Sequence, residues 1–312
     1  MEQSISREQS LSIKALTIIL IMLGHNHILA PIDGKLFTYL YSFHVAIFFV
    51  LPFYYSRHKF DCRYISVAAV RLLVPYFFFC LFCWIVTGIV TGSYITELYR
   101  LKGLVNLGGI GTKGATGFYF PWFLLAFFTM TVIRVLSDIN RVVWCLALLI
   151  GGILFVITFQ NKQIIDFVPF YSGRAFVYFF IGTVSSTIYF KKNHFKYLFI
   201  IAFFLFSLLY WCDIMKMPPI FLSGVCGFFF FWHICEKVPT NRFINFVGKN
   251  SLKYYLYHVF VYNIFINMGS TFFMGFLNLL LTFFSTTVLV LLTNRLSLLN
   301  RVIFPTIKST TI

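Results

Sequence analysis

Lys14 and His25 stand eleven residues apart in the first apolar stretch of the chain. That is close to three helical turns, so a helix would project both side chains from one face. At 1.5 Å per residue the axial separation is about 16 Å. A neutral imidazole can take a proton from an attacking hydroxyl near neutral pH, and an ammonium group can hold phosphate. The pair suits a long donor whose anionic end rests at the cytoplasmic surface while its reactive end reaches into the membrane, as a coenzyme A thioester would. The ordinary alternative is a histidine bonded to a neighbouring helix and a lysine at a helix start.

Other polar groups in apolar surroundings extend the list, because an ionisable side chain in a membrane span is costly and usually faces an interior or an aqueous cavity. His44 opens the second apolar run in Phe43-His44-Val45-Ala46, as a substrate contact or an interfacial histidine. Arg71 begins the third run ahead of Pro75-Tyr76, where it could hold phosphate beside Lys14 or simply mark the cytoplasmic side. Trp122 in Phe120-Pro121-Trp122-Phe123 could approach a sugar, although an aromatic belt alone would place it there. His258 lies about two turns into a late span, in Tyr255-Leu256-Tyr257-His258.

The elements that must carry these residues follow from composition. With 60% hydrophobic, 21% aromatic and 11% charged residues over 312 positions, the chain has too little polar surface to wrap a soluble core, so lipid must be part of its solvent. The reading is all-α: a polytopic membrane protein of about ten helices, treated as one domain over 1–312. Apolar windows fall at 12–30, 37–55, 72–91, 118–136, 142–159, 173–190, 196–211, 218–235, 253–273 and 276–293. The 25 Lys and Arg gather in alternate connections, which puts both termini in the cytoplasm. The net charge of +16 therefore reads as orientation in the membrane and not as a nucleic-acid surface. Seven cysteines imply no disulfide framework, and Cys80 with Cys83 reads as packing and not as a redox or zinc pair. Arg7 and Lys14 precede a long apolar run with no small-residue cleavage site after it, so a retained span is expected in place of a signal peptide. The glycine-rich segment 92–117, bearing Arg100, Lys102 and Lys113, is expected to be a long outer connection: a lid, an acceptor-binding loop or a plain connector.

In their order along the chain, these segments resemble the membrane acyltransferase family often called acyltransferase family 3. The resemblance runs from Lys14 to about Val261. It rests on the Lys14-to-His25 spacing, Phe43-His44 with its trailing aromatics, Arg71 with Pro75-Tyr76, and Trp122-Phe123-Leu124. It continues in Arg174-Ala175-Phe176 running to Gly182, and in Gly248-Lys249-Asn250-Ser251-Leu252 with Tyr255 to His258. The resemblance implies about ten membrane helices, an acyl-CoA donor, usually acetyl-CoA, and an essential first-span histidine, here His25. Lys14 and Arg71 would then hold the donor, and His44, Trp122, Arg174 and His258 would meet the acceptor. The chain departs from the family pattern in having Lys14 where arginine is commoner, Leu11 where an acidic residue often stands, and Leu51-Pro52 in place of Ser-Gly.

The expectation is an integral-membrane O-acyltransferase of a bacterial inner membrane. It would move an acyl group, acetyl by default, from acetyl-CoA as co-substrate to a glycan or lipid-linked sugar, with no permanently bound cofactor, no metal and no nucleic-acid partner. Two other classes compete. A flippase or transporter for a lipid-linked sugar would be expected to carry mid-span acidic residues and internal repeats, and neither is visible. A polysaccharide polymerase would be expected to have a large arginine-bearing outer loop, whereas 92–117 contains a single arginine, Arg100.

Overall fold

A computed structural model of the chain describes residues 4–32, 34–55, 62–91, 122–160, 172–191, 194–216, 219–237, 240–265, 269 and 271–305. The segment 92–117 lies outside them. Among the described residues the secondary structure is helical, with no strand. They fall into two compact units, Met1–Arg57 with Ile181–Leu292, and His58–Phe180 with Thr293–Ile312.

The first unit opens with α1 (Arg7–His25), whose start is fixed by a capping box: Ser6 Oγ accepts from the Gln9 backbone, and the Gln9 side chain accepts from the Ser6 N–H. Asn26 ends it, accepting through Oδ1 from the Ile28 and Leu29 amides at 3.2 and 3.1 Å. The same side chain donates to the Gly275 carbonyl at 2.9 Å and to Asn278 Oδ1 at 3.3 Å, tying the C-terminal end of α1 to a later helix. Next come α2 (Lys35–Tyr41) and α3 (His44–Val50), separated by a turn in which Ser42 Oγ donates to the Tyr39 carbonyl.

In the second unit, α4 (Cys62–Ala68) passes through a π-helical stretch, Ala69–Leu73, into α5 (Val74–Thr91). Pro75 explains the widening: it has no N–H to give the carbonyl of residue 71, so the regular ladder is interrupted there. α6 (Trp122–Ile139) and α7 (Arg141–Gln160) follow, with Asn140 Oδ1 accepting from the Val142 amide at the turn between them. Val142, Leu149 and Val156, seven residues apart along α7, are 65%, 62% and 59% exposed, an apolar stripe suited to lipid contact.

α8 (Ser172–Lys191) has its first residues in the second unit and the rest in the first. α9 (Phe195–Trp211), α10 (Ile220–Lys237), α11 (Arg242–Lys249), α12 (Ser251–Phe265) and α13 (Phe272–Arg295) up to Leu292 continue the first unit, and the end of α13 with α14 (Ser297–Ile303) belongs to the second. An aromatic core in the first unit gathers Tyr54, Tyr189, Phe228, Phe229 and Trp232. Beside it, buried Lys196 pairs with Glu236 and lies over the Trp232 ring. α11 crosses α1 so closely at Gly248 that any side chain there would strike the Leu11 carbonyl.

The expected number of spans is corrected. Helices stand in all ten apolar windows, but six described stretches are long and apolar enough to cross a membrane: Lys35–Tyr54, Cys62–Phe82, Trp122–Ile139, Arg141–Thr158, Ile220–Lys237 and Phe272–Arg295. The other four fall short for visible reasons. α1 spends its first half on Arg7, Glu8, Gln9, Ser10, Ser12 and Lys14. α8 carries Arg174, Thr183, Ser185, Ser186 and Thr187. α9 and α12 have only 17 and 15 residues. The result is a chain with several membrane-crossing helices, packed with more polar ones.

Candidate active site

The first unit brings together three of the histidines singled out in the sequence. His25 is the last residue of α1, His44 the first of α3, and His258 lies in the middle of α12. The His25 and His258 rings meet edge to face with centroids 5.0 Å apart. Each imidazole is held in the same way: Nδ1 faces the backbone carbonyl four residues earlier, Ile21 for His25 at 2.9 Å, Leu40 for His44, and Tyr254 for His258 at 3.1 Å. A carbonyl only accepts, so Nδ1 carries the proton in each ring and Nε2 keeps its lone pair. Three basic nitrogens are thus prepared on three helices by local helix geometry alone.

What surrounds each Nε2 differs. That of His25 accepts from the Tyr41 hydroxyl at 3.2 Å. Those of His44 and His258 are buried and have no hydrogen-bond partner among the described residues. Such a buried, unsatisfied acceptor costs about 1–3 kcal/mol and calls for an explanation. Tyr41 knits the group together, with its ring 4.7 Å from His44 edge to face and stacked on Phe37 at 4.1 Å. The short turn between α2 and α3 turns both Tyr41 and His44 toward α1, and Gly24 makes room for them. A Cβ at Gly24 would lie 3.3 Å from the Tyr41 ring and 3.8 Å from His44 Nε2.

Lys14 is half-buried on the same helix as His25, three turns toward the N-terminus. Its ammonium lies 6.0 Å from the centre of the Tyr55 ring, and the Tyr55 hydroxyl is hydrogen-bonded to Ser10 Oγ. That loose hold leaves the ammonium with donors to spare for an anion. α11 and the start of α12 place Lys249 and Lys253 on elements packed around the same end of α1.

The remaining sequence-predicted residues belong to the second unit. Arg71 is exposed within the π-helical stretch. Arg174 and Trp122, assigned separately from the sequence, are brought together: the guanidinium stands 4.7 Å over the Trp122 ring, a cation–π contact between α8 and α6. Sequence reasoning missed Tyr41. Its only signal is position, three residues before His44 at the end of a short amphipathic turn, and that signal gains meaning once His25 is known to face it.

The arrangement offers a neutral base at the end of one helix, a hydroxyl donor beside it, and a cation one bilayer leaflet away. A family model described as an acyltransferase domain matches residues 12–295. No curated protein and no solved structure matches the chain. The match covers nearly the whole sequence and takes in Lys14, His25, Tyr41, His44 and His258 together: the chain belongs to the membrane acyltransferases of acyltransferase family 3.

Proposed function

We propose that this acyltransferase is an O-acyltransferase of the bacterial inner membrane, moving an acyl group, acetyl by default, from acyl-CoA to a hydroxyl of a cell-envelope polysaccharide or its lipid-linked precursor. Both termini are cytoplasmic in this reading. The observation that carries the reading is the 2.9 Å contact between His25 Nδ1 and the Ile21 carbonyl, which commits the Nδ1 proton to that carbonyl and leaves Nε2 as the base. Lys14, about 16 Å away along α1, takes the donor phosphates. His25 Nε2 removes the acceptor proton as the hydroxyl oxygen attacks the thioester carbon. The unpartnered Nε2 atoms of His44 and His258 accept from neighbouring hydroxyls of the bound acceptor. Arg174 and Trp122 offer an aromatic face and a cation to the sugar.

Deleting the gene and weighing the envelope glycan by mass spectrometry tests this reading. The glycan should lose acetyl groups and keep its chain length. Shortened chains that remain acetylated would point to a polymerase instead.

A further inference from the structure

We propose that Tyr41 is a further catalytic residue, whose phenolic O–H stabilises the oxygen that gains charge when the thioester carbonyl is attacked; this rests on the reading of His25 as the base. The four side chains of the constellation form two layers. His44 and His258 are 0% and 1% exposed, whereas His25 and Tyr41 are mostly but not fully buried. The two groups that touch each other are therefore the accessible pair of the four, and a substrate reaching the constellation meets them first.

The hydrogen bond between them has only one direction. His25 spends its ring proton on Ile21, so at Nε2 the Tyr41 hydroxyl is the donor and occupies the lone pair that the base must offer to substrate. An acceptor hydroxyl that reaches Nε2 has to displace that donor. The Tyr41 ring is not free to follow, being stacked on Phe37 with an interplanar angle of 28°, met edge-on by His44 and backed by Gly24. Its oxygen lies on the ring axis and stays in place, so only the hydrogen turns about the C–O bond. The displaced donor is left beside the reacting atoms, in surroundings of low polarity where a single hydrogen bond to developing charge is strong.

The step balances without a further reactant. His25 Nε2 takes the acceptor proton while the acceptor oxygen bonds to the acyl carbon, and the carbonyl oxygen becomes anionic with the Tyr41 O–H directed at it. Collapse reforms the carbonyl and breaks the carbon–sulfur bond. The thiolate takes the proton from His25, giving ester, free coenzyme A thiol and neutral imidazole. Tyr41 remains protonated throughout.

The test compares wild type, Tyr41→Phe and His25→Ala, purified in nanodiscs, with acetyl-CoA as donor and alkali-deacetylated envelope glycan as acceptor. Phenylalanine keeps the stack on Phe37 and the edge contact with His44, so the melting profile should match wild type. Turnover should fall about 100- to 1,000-fold, the size expected for loss of one oxyanion donor. KM for both substrates should stay within about threefold, since the lost bond forms only in the transition state. A Tyr41→Phe enzyme with wild-type turnover overturns the proposal, as does one in which KM rises and the melting temperature falls together, the mark of a packing role. Wild type that transfers nothing from acetyl-CoA instead overturns the acyl-CoA reading itself, and it does so before any variant is compared.

Discussion

His25 and Lys14 share one helix and should fail in different ways when replaced. Lys14 sits where an anionic donor would rest, held only loosely over Tyr55. Removing its charge should weaken the donor equally in ground and transition states. A donor titration of Lys14→Ala should show KM for acetyl-CoA raised about tenfold, the effect of losing roughly 1.4 kcal/mol of charge-assisted bonding, with the maximal rate nearly kept. Lys14→Arg should stay close to wild type, because the charge persists and the guanidinium also binds phosphate. A collapsed maximal rate at unchanged KM would remove Lys14 from the donor site. At this scale the sequence is informative about the histidines, since an imidazole in an apolar span is conspicuous by its cost. It says little about Tyr41, which is one of 18 tyrosines and gains a role only through its distance to His25.

The helices show what sets the position of the base. Apolar windowing puts the first span at 12–30, whereas α1 runs from Arg7 to His25. The difference is local hydrogen bonding: the Ser6–Gln9 capping box starts the helix early, and Asn26 stops it directly after His25. Hydropathy does not register either device. The second window, 37–55, hides the turn at Ser42 and Phe43 that aims Tyr41 and His44 at α1, because the turn is held by the Ser42 hydroxyl donating to the Tyr39 carbonyl three residues back. Asn26 also joins α1 to Gly275 and Asn278, so Asn26→Ala strips four bonds from a buried site. That change should cost about 1–3 kcal/mol, read as a fall of several degrees in melting temperature. It should also lower turnover, by loosening the end of α1 that carries His25, while KM for the donor stays unchanged. A variant with full turnover would mean that the Asn26 tie has no part in holding His25.

The whole chain is legible as a membrane protein from composition alone, because too few charged residues remain to clothe a soluble core. The count of spans is less legible, since apolar windows mark ten stretches whereas α1, α8, α9 and α12 are too polar or too short to count among the six described stretches that could cross a membrane. Three of these helices, α1, α8 and α12, bear Lys14, His25, Arg174 and His258. If the lysines and arginines mark the cytoplasmic side, as the positive-inside bias expects, an impermeant donor should reach Lys14 from that side only. The most direct test of the account is therefore to supply labelled acetyl-CoA to inside-out membrane vesicles and count label in the envelope glycan. Wild-type vesicles should label it, and His25→Ala vesicles should not at any donor concentration, because the missing proton acceptor acts in the transition state. Full labelling by His25→Ala would contradict the account.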